Sequence, residues 1–214
     1  MDGIFVTFEG IDYCGKSLQL ELLSQKIVNH GRLVSVIREP GGTVISEKIR
    51  DVLLKNEHNQ MNSVTEILLY SAARSQVVSE KIVPHLNDGK IVLCDRFFDS
   101  TTAYQGYGRG IDLKFVENIN RVATQNISPD ITYLLDISVD VYHERQNKIN
   151  AEPDRMEAEG NVFFEKVRQG FLTIARQNTD RFVIIDGGKS IPEIEDIIWQ
   201  HFWSYLQGGE HAEK

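Results

Sequence analysis

The sequence predicts an α/β fold: a doubly wound, five-stranded parallel sheet with helices on both faces. Three observations carry that expectation. Five apolar runs of strand length are spread along the 214 residues. Amphipathic stretches of helical period lie between them. The runs are also apolar on both faces, as strands covered from two sides must be. Strand–helix alternation of this kind builds right-handed βαβ units.

The first run, IFVTF (4–8), is β-branched or aromatic almost throughout. Behind it, Leu18, Leu22, Leu23 and Ile27 fall on one face and predict a helix over 18–28. LVSVI (33–37), IVLCD (91–95), ITYLLDI (131–137) and FVIID (182–186) are the remaining strands. Phe164, Val167, Phe171 and Ile174 predict a helix over 162–174, and Ile194, Ile197, Ile198 and Trp203 a closing helix over 191–203. The one long polar stretch inside the fold, RQNKINAEPDRMEAEGN (145–161), reads as a mobile lid. No repeat, linker or composition shift divides the chain. Residues 1–207 therefore read as one domain, and 208–214, GGEHAEK, as a disordered tail.

Composition narrows the function classes. The net charge of −8 argues against general affinity for nucleic acid or an anionic membrane, so any positive site must be local. No apolar stretch approaches the roughly 18 residues a membrane span needs. The N-terminus lacks a basic lead and a long apolar segment. Cys14 and Cys94 form no zinc spacing and no disulfide framework, which fits a reducing compartment. The expected location is the cytoplasm.

The first strand ends in GIDYCGKS, which satisfies the phosphate-loop pattern G-x-x-x-x-G-K-[ST] in the required strand–turn–helix setting. Gly10 and Gly15 let backbone N–H groups turn inward, and Ile11, Asp12, Tyr13 and Cys14 lie between them. Lys16 reaches the β- and γ-phosphates, Ser17 can coordinate Mg²⁺, and Leu18 opens a helix whose positive end faces the anion. Tyr13 and Cys14 are unusual here, but their task is to offer backbone N–H, and their side chains are free to point outward. Cys14, before a helix N-terminus, is expected to be reachable without nucleotide and protected by ATP; the competing reading is an inert, packed thiol.

IVLCDR ends a buried strand in Asp95, placed to serve Mg²⁺ beside a phosphate loop, with Arg96 next to it for a phosphate. REPGGT puts Arg38 and two glycines after the second strand. LLYSAARSQ puts Tyr70 and Arg74 four apart, on one helix face. DSTTAYQGYGRG (99–110) is rich in hydroxyl and amide groups.

The ordered segments FEGIDYCGKS, REPGGT, EKIRDVLL, LLYSAARSQ, DRFFDSTTAYQG and DRMEAEGNVFFEKVRQGF resemble bacterial thymidylate kinases, from the first strand to about residue 186. The resemblance implies a P-loop NTPase-type fold, ATP as phosphoryl donor, Mg²⁺, and dTMP as acceptor, converted to dTDP for dTTP synthesis. It also implies a homodimer. By position it implies that Arg38 and Arg96 grip the dTMP phosphate, and that Asp12 accepts from the sugar 3′-hydroxyl. Tyr70 would stack on thymine, and Arg74 would bond a thymine carbonyl. Ser100, Thr101 and Gln105 would lie on the base side, Tyr104 would crowd the sugar 2′ position, and Glu9 would lie beside the metal with Ser17 and Asp95. Tyr13 departs from the family, whose members carry Gly or, in one subgroup, a catalytic arginine there. The missing cation is expected from the lid, first from Arg155, then Arg145, with Lys148 a weaker substitute.

Two other readings are weighed. A kinase with another acceptor, such as a deoxynucleoside, shares the DR-then-hydroxyl segment, but REPGGT and the Arg74 segment favour thymidylate. A GTP-dependent switch would need Asn-Lys-x-Asp, and NKIN (147–150) ends in Asn and follows no strand.

Overall fold

The computed structural model of the chain describes residues 3–149 and 152–212. Strands β1 (Ile4–Glu9), β2 (Val34–Arg38), β3 (Ile91–Asp95), β4 (Ile131–Asp136) and β5 (Phe182–Asp186) form one sheet in the order β2-β3-β1-β4-β5, every pairing parallel. The connection leaving β1 crosses toward β2, and the one leaving β3 crosses toward β4. The switch point therefore lies between these two adjacent central strands, and ligands gather in the crevice at the carboxyl ends of such a pair.

The helices in chain order are α1 (Lys16–Asn29), α2 (Val44–Leu54), α3 (Ser63–Val77), α4 (Val83–Asn87), α5 (Phe98–Thr101), α6 (Leu113–Ala123), α7 (Val139–Ile149), α8 (Asn161–Gln177) and α9 (Ile191–Ala212). α5 runs on as a π-helical segment, Thr102–Gly108, a geometry that recurs at functional sites. Side chains of Thr43, Asn62 and Asp112 cap α2, α3 and α6 by accepting from backbone N–H groups of their first turns.

Alternation along the central strands divides the core in two. Val6, Phe8, Ile91 and Leu93 pack with Leu20, Leu23 and Ile27 of α1, Phe164 and Phe171 of α8 and Ile198 of α9. Phe5, Val92 and Cys94 point to the other face, against Val77, Val78, Ile82 and Leu86. The edge strands are not covered on both faces: Val36 of β2 and Ile184 of β5 are exposed, because an edge strand has helices over only part of its surface. α8 lies directly on the π-helical segment. A Cβ on Gly108 would meet Phe163 at 2.7 Å and one on Gly170 would meet Tyr107 at 2.8 Å, so the contact needs both glycines.

One expectation is corrected here. α9 does not stop at 203 but continues to Ala212, through most of the stretch read as a tail; residues 213 and 214 lie outside the described residues. Gly208 and Gly209 lower helix propensity by about 1 kcal/mol each relative to alanine, but unlike proline they keep their N–H donors.

Candidate functional site

The loop after β1 turns back beneath its own backbone. Gly10 sits at φ +138°, where a Cβ would lie 2.5 Å from the Leu135 carbonyl oxygen, so only glycine fits. Gly15, at φ +103°, precedes α1. Tyr13 takes φ +60°, a left-handed conformation that costs a non-glycine residue roughly 1–2 kcal/mol. Lys16 Nζ reaches back over the loop and donates to Ile11 O at 2.9 Å. Ser17 Oγ donates to Asp95 Oδ2. Asp12, Tyr13, Gly15, Lys16, Ser17 and Leu18 line one cavity together with Arg38, Glu39, Arg50, Asp95, Arg96 and Arg145. Five cationic side chains stand around the amino end of a helix, an arrangement that suits a polyanion. Gly10 O accepts from Arg96 at 3.0 Å and Ile11 O from Lys16, while the Ile11 side chain is in the core.

A second cavity adjoins it, lined by Asp12, Glu39, Pro40, Arg50, Leu54, Tyr70, Arg74, Arg96, Ser100, Thr101, Tyr104, Gln105, Asp154 and Met156. Asp12, Glu39, Arg50 and Arg96 line both. Arg96, itself left-handed at φ +68°, ion-pairs with Asp12 and lies over the Tyr104 ring at 5.1 Å, and Tyr104 Oη donates to Asp12 Oδ2 at 3.1 Å. Burial pushes the Asp12 carboxyl up, but the Arg96 and Lys16 charges outweigh it and hold it below its ordinary value. Arg74 is fixed by Glu39, by Thr101 Oγ1 at 2.8 Å and by Phe97 O at 3.0 Å. Gln105 Nε2 donates to Glu66 at 3.0 Å. Tyr70, one turn before Arg74, is half-buried at the same wall.

Four sequence expectations do not hold. Glu9 lines neither cavity: it is fully buried, one oxygen accepting from Phe97 N at 2.7 Å and the other from Ser100 Oγ at 2.6 Å. Burial, then the Asp99 charge, pushes its carboxyl up to about 8. Cys14 does not point outward. Its thiol is buried under the loop, where burial raises it above the ordinary thiol range, so the packed reading stands. Arg155 is also buried, donating to Glu66 Oε2 at 2.6 Å and Leu53 O at 2.6 Å, away from the phosphate cavity. The polar segment around it packs on α2 and α3, and the buried Glu66 draws the arginine in. Finally, 145–161 is not one continuous loop. Its first residues close α7, its last opens α8, and the turns between are anchored by Arg155 and by Arg109–Glu159; residues 150 and 151 lie outside the described residues. Lys148 pairs with Glu144 on the solvent side, leaving Arg145 as the cation of this stretch that faces the phosphate cavity.

Sequence reasoning missed Arg50, Glu39 and Glu66. Arg50 Nη1 and Arg38 Nη1 both donate to Pro40 O, at 3.0 and 3.3 Å, and Arg50 reaches both cavities. Its signals are its place in EKIRDVLL and a cation twelve residues after Arg38 on an amphipathic stretch, a pattern most solvent-facing helices share. Glu66 gathers Gln105 and Arg109 from one distant segment and Arg155 from another, which no local pattern announces.

A divalent cation fits at Asp95 and Ser17, whose oxygens adjoin at the edge of the phosphate cavity. Among the described residues no group of three or more His, Cys, Asp or Glu side chains converges as a metal site. One carboxylate and one hydroxyl suit Mg²⁺, which keeps waters and takes most ligands from substrate phosphates. Among the described residues no helix is long and apolar enough to cross a membrane.

The sequence model of the thymidylate kinase family matches residues 8–198. A thymidylate kinase of Thermosipho africanus is 48% identical over 205 residues, 94% of this chain and 100% of its own. One of Thermoanaerobacter sp. (strain X514) is 44% identical over 199 residues, 92% of this chain and 97% of its own. The crystal structure of thymidylate kinase from Ehrlichia chaffeensis superposes with a TM-score of 0.77 at 33% identity, covering 94% of this chain and 98% of that one.

Proposed function

The chain belongs to the thymidylate kinase family and phosphorylates dTMP to dTDP, and from that premise we propose how its residues divide the work. The donor is ATP, its phosphates wrapped by residues 10–18, with Lys16 at the β- and γ-oxygens and Arg145 closing the far side. Asp95 and Ser17 would hold Mg²⁺, which when bound would supply charge neutralisation at the donor phosphates. dTMP enters the second cavity, with thymine against Tyr70, its edge read by Arg74 and Gln105, and its sugar against Tyr104 and Asp12. Its phosphate lies at the junction, between Arg96, Arg50 and Arg38.

An oxygen of that phosphate attacks the γ-phosphorus in line. The bond to the β–γ bridging oxygen breaks, and ADP leaves. The protein contributes alignment of two polyanions and charge to offset their repulsion. The observation that carries this assignment is the shared wall: the residues lining both cavities include two arginines, placed where the transferred group must pass. The tight approach of Tyr104 to Asp12 and Arg96 supports selection against a 2′-hydroxyl.

The chain works as one domain in the cytoplasm, a setting its two free, buried thiols fit. It forms a homodimer. Val44, Ile45 and Val52 of α2 and Val64 and Leu68 of α3 are exposed on helices that pack together, an apolar face that supports the reading. ADP release from purified protein with ATP and a panel of dTMP, dUMP, dCMP and thymidine tests the assignment. dTMP is expected to give the highest kcat/KM, and an equal rate with thymidine would overturn it.

A further inference from the structure

Tyr13 departs from the phosphate-loop pattern, and its left-handed backbone, easy for glycine, is strained for tyrosine. Such a conformation persists where the surroundings over-determine it, and three contacts do so here. Tyr13 Oη donates to Glu157 Oε1 at 2.8 Å. Its ring lies against Tyr142, centroids 5.4 Å apart. Its carbonyl accepts from Arg145 Nη1 at 3.0 Å. Tyr142 and Arg145 are one turn apart on α7, and Glu157 belongs to the turns before α8. Glu157 is itself held, its other oxygen accepting from Asp154 N at 3.1 Å. Tyr142 in turn packs on Phe164 of α8, centroids 4.4 Å apart.

We propose that Tyr13 is a positioning residue that staples the phosphate loop to the Arg145-bearing end of α7 and to the Glu157 turn, so that Arg145 is held at the donor phosphates. The proposal rests on the reading of Arg145 as the donor-side cation. Among the described residues Arg145 donates hydrogen bonds to two carbonyls, Tyr13 O and, at 2.7 Å, Gly187 O. A phosphate oxygen makes a stronger, charge-assisted bond than a carbonyl. One nitrogen can therefore leave Gly187 for the donor while the other stays on Tyr13, provided the loop and α7 keep their distance. The hydroxyl–carboxylate bond and the ring contact fix that distance. The side chain that replaces a loop glycine thus acts through a lid arginine, not as a cation itself.

The test uses the full chain with ATP and dTMP. Tyr13→Phe removes the hydroxyl and keeps the ring; Glu157→Ala removes its acceptor. Each is expected to lower kcat about tenfold, the scale of one hydrogen bond to a charged group, with KM for dTMP and the melting temperature unchanged. The double mutant is expected to be no slower than either single one. Amide hydrogen exchange over residues 152–160 should quicken in Tyr13→Phe. Arg145→Ala, measured alongside, separates the two claims. If Arg145→Ala is slow but Tyr13→Phe matches the parent in kcat and exchange, or if the two single effects multiply, the staple is refuted. If Arg145→Ala itself turns over within threefold of the parent, the Arg145 reading fails and the staple with it.

Discussion

Arg74 Nε donates to Glu39 Oε2 at 2.7 Å, and both side chains are almost wholly buried. Burial alone drives the Glu39 carboxyl up, the Arg74 charge opposes it, and the balance leaves it at about 7. The pair joins the exit of β2 to the face of α3 that lines the acceptor cavity, and so fixes where a planar, five-donor guanidinium points. Removing one partner of such a pair strands the other and typically costs about 3–5 kcal/mol. Arg74→Ala is expected to raise KM for dTMP and to leave KM for ATP unchanged. Glu39→Ala should do the same, and both substitutions should lower the melting temperature. An equal rise in both Michaelis constants would argue against base reading by Arg74.

Lys16→Ala is expected to abolish transfer with the fold intact. Lys16 Nζ donates to a loop carbonyl and to Cys14 Sγ, bonds that a phosphate can replace. Circular dichroism and turnover on the same sample check this; near-normal turnover would refute the phosphate-loop assignment.

Arg145 and Arg155 should part company. Arg145 faces the phosphate cavity, so Arg145→Ala is expected to lower kcat by up to about 10³-fold, the arginine-finger scale, with the ATP dissociation constant nearly unchanged. Arg155 neutralises the buried Glu66, so Arg155→Ala is expected to cost about 3–5 kcal/mol of stability instead. Chemical denaturation beside steady-state kinetics distinguishes them. A stable but inactive Arg155→Ala would reverse the assignment.

Cys14 should label slowly with a thiol reagent, and ATP should not change the rate. Its sulfur is packed beneath Gly10, where a Cβ would stand 2.9 Å from it, and burial disfavours the thiolate. Rapid labelling that ATP suppresses would show the thiol to be on the nucleotide side.

Glu9 makes stability depend on pH in a direction opposite to a surface carboxylate. Its ordinary value of 4.5 rises to about 8 in the folded chain, so between these values the folded state binds more protons than the unfolded one. Its contribution is complete below the unfolded value and is lost as pH rises through about 8. Glu9→Gln should therefore lose less melting temperature than the parent between about pH 5.5 and 8.5. Parallel curves for the two proteins would contradict the raised value.

The five strands, their parallel sense and the phosphate loop were legible because each follows from local pattern. Apolar runs such as IVLCD can only be buried strands, and glycines at positions 10 and 15 answer to a turn within their own segment. The resemblance to a known family grouped Arg74, Tyr104 and Asp12, which the fold brings to one cavity, for the same reason: each sits in a short ordered motif. The fate of lone charged and polar side chains was another matter. Glu9, Arg155 and Cys14 look like site residues in a one-dimensional reading, and Arg50 and Glu66 look like surface. Which of them meets solvent, substrate or a buried partner depends on what distant segments place beside them: Ser100 on Glu9, Glu66 on Arg155, Glu157 on Tyr13. Backbone periodicity is a property of neighbours in sequence, and so the sequence determined it. The electrostatic environment of a side chain is a property of neighbours in space, and only the folded chain decided that.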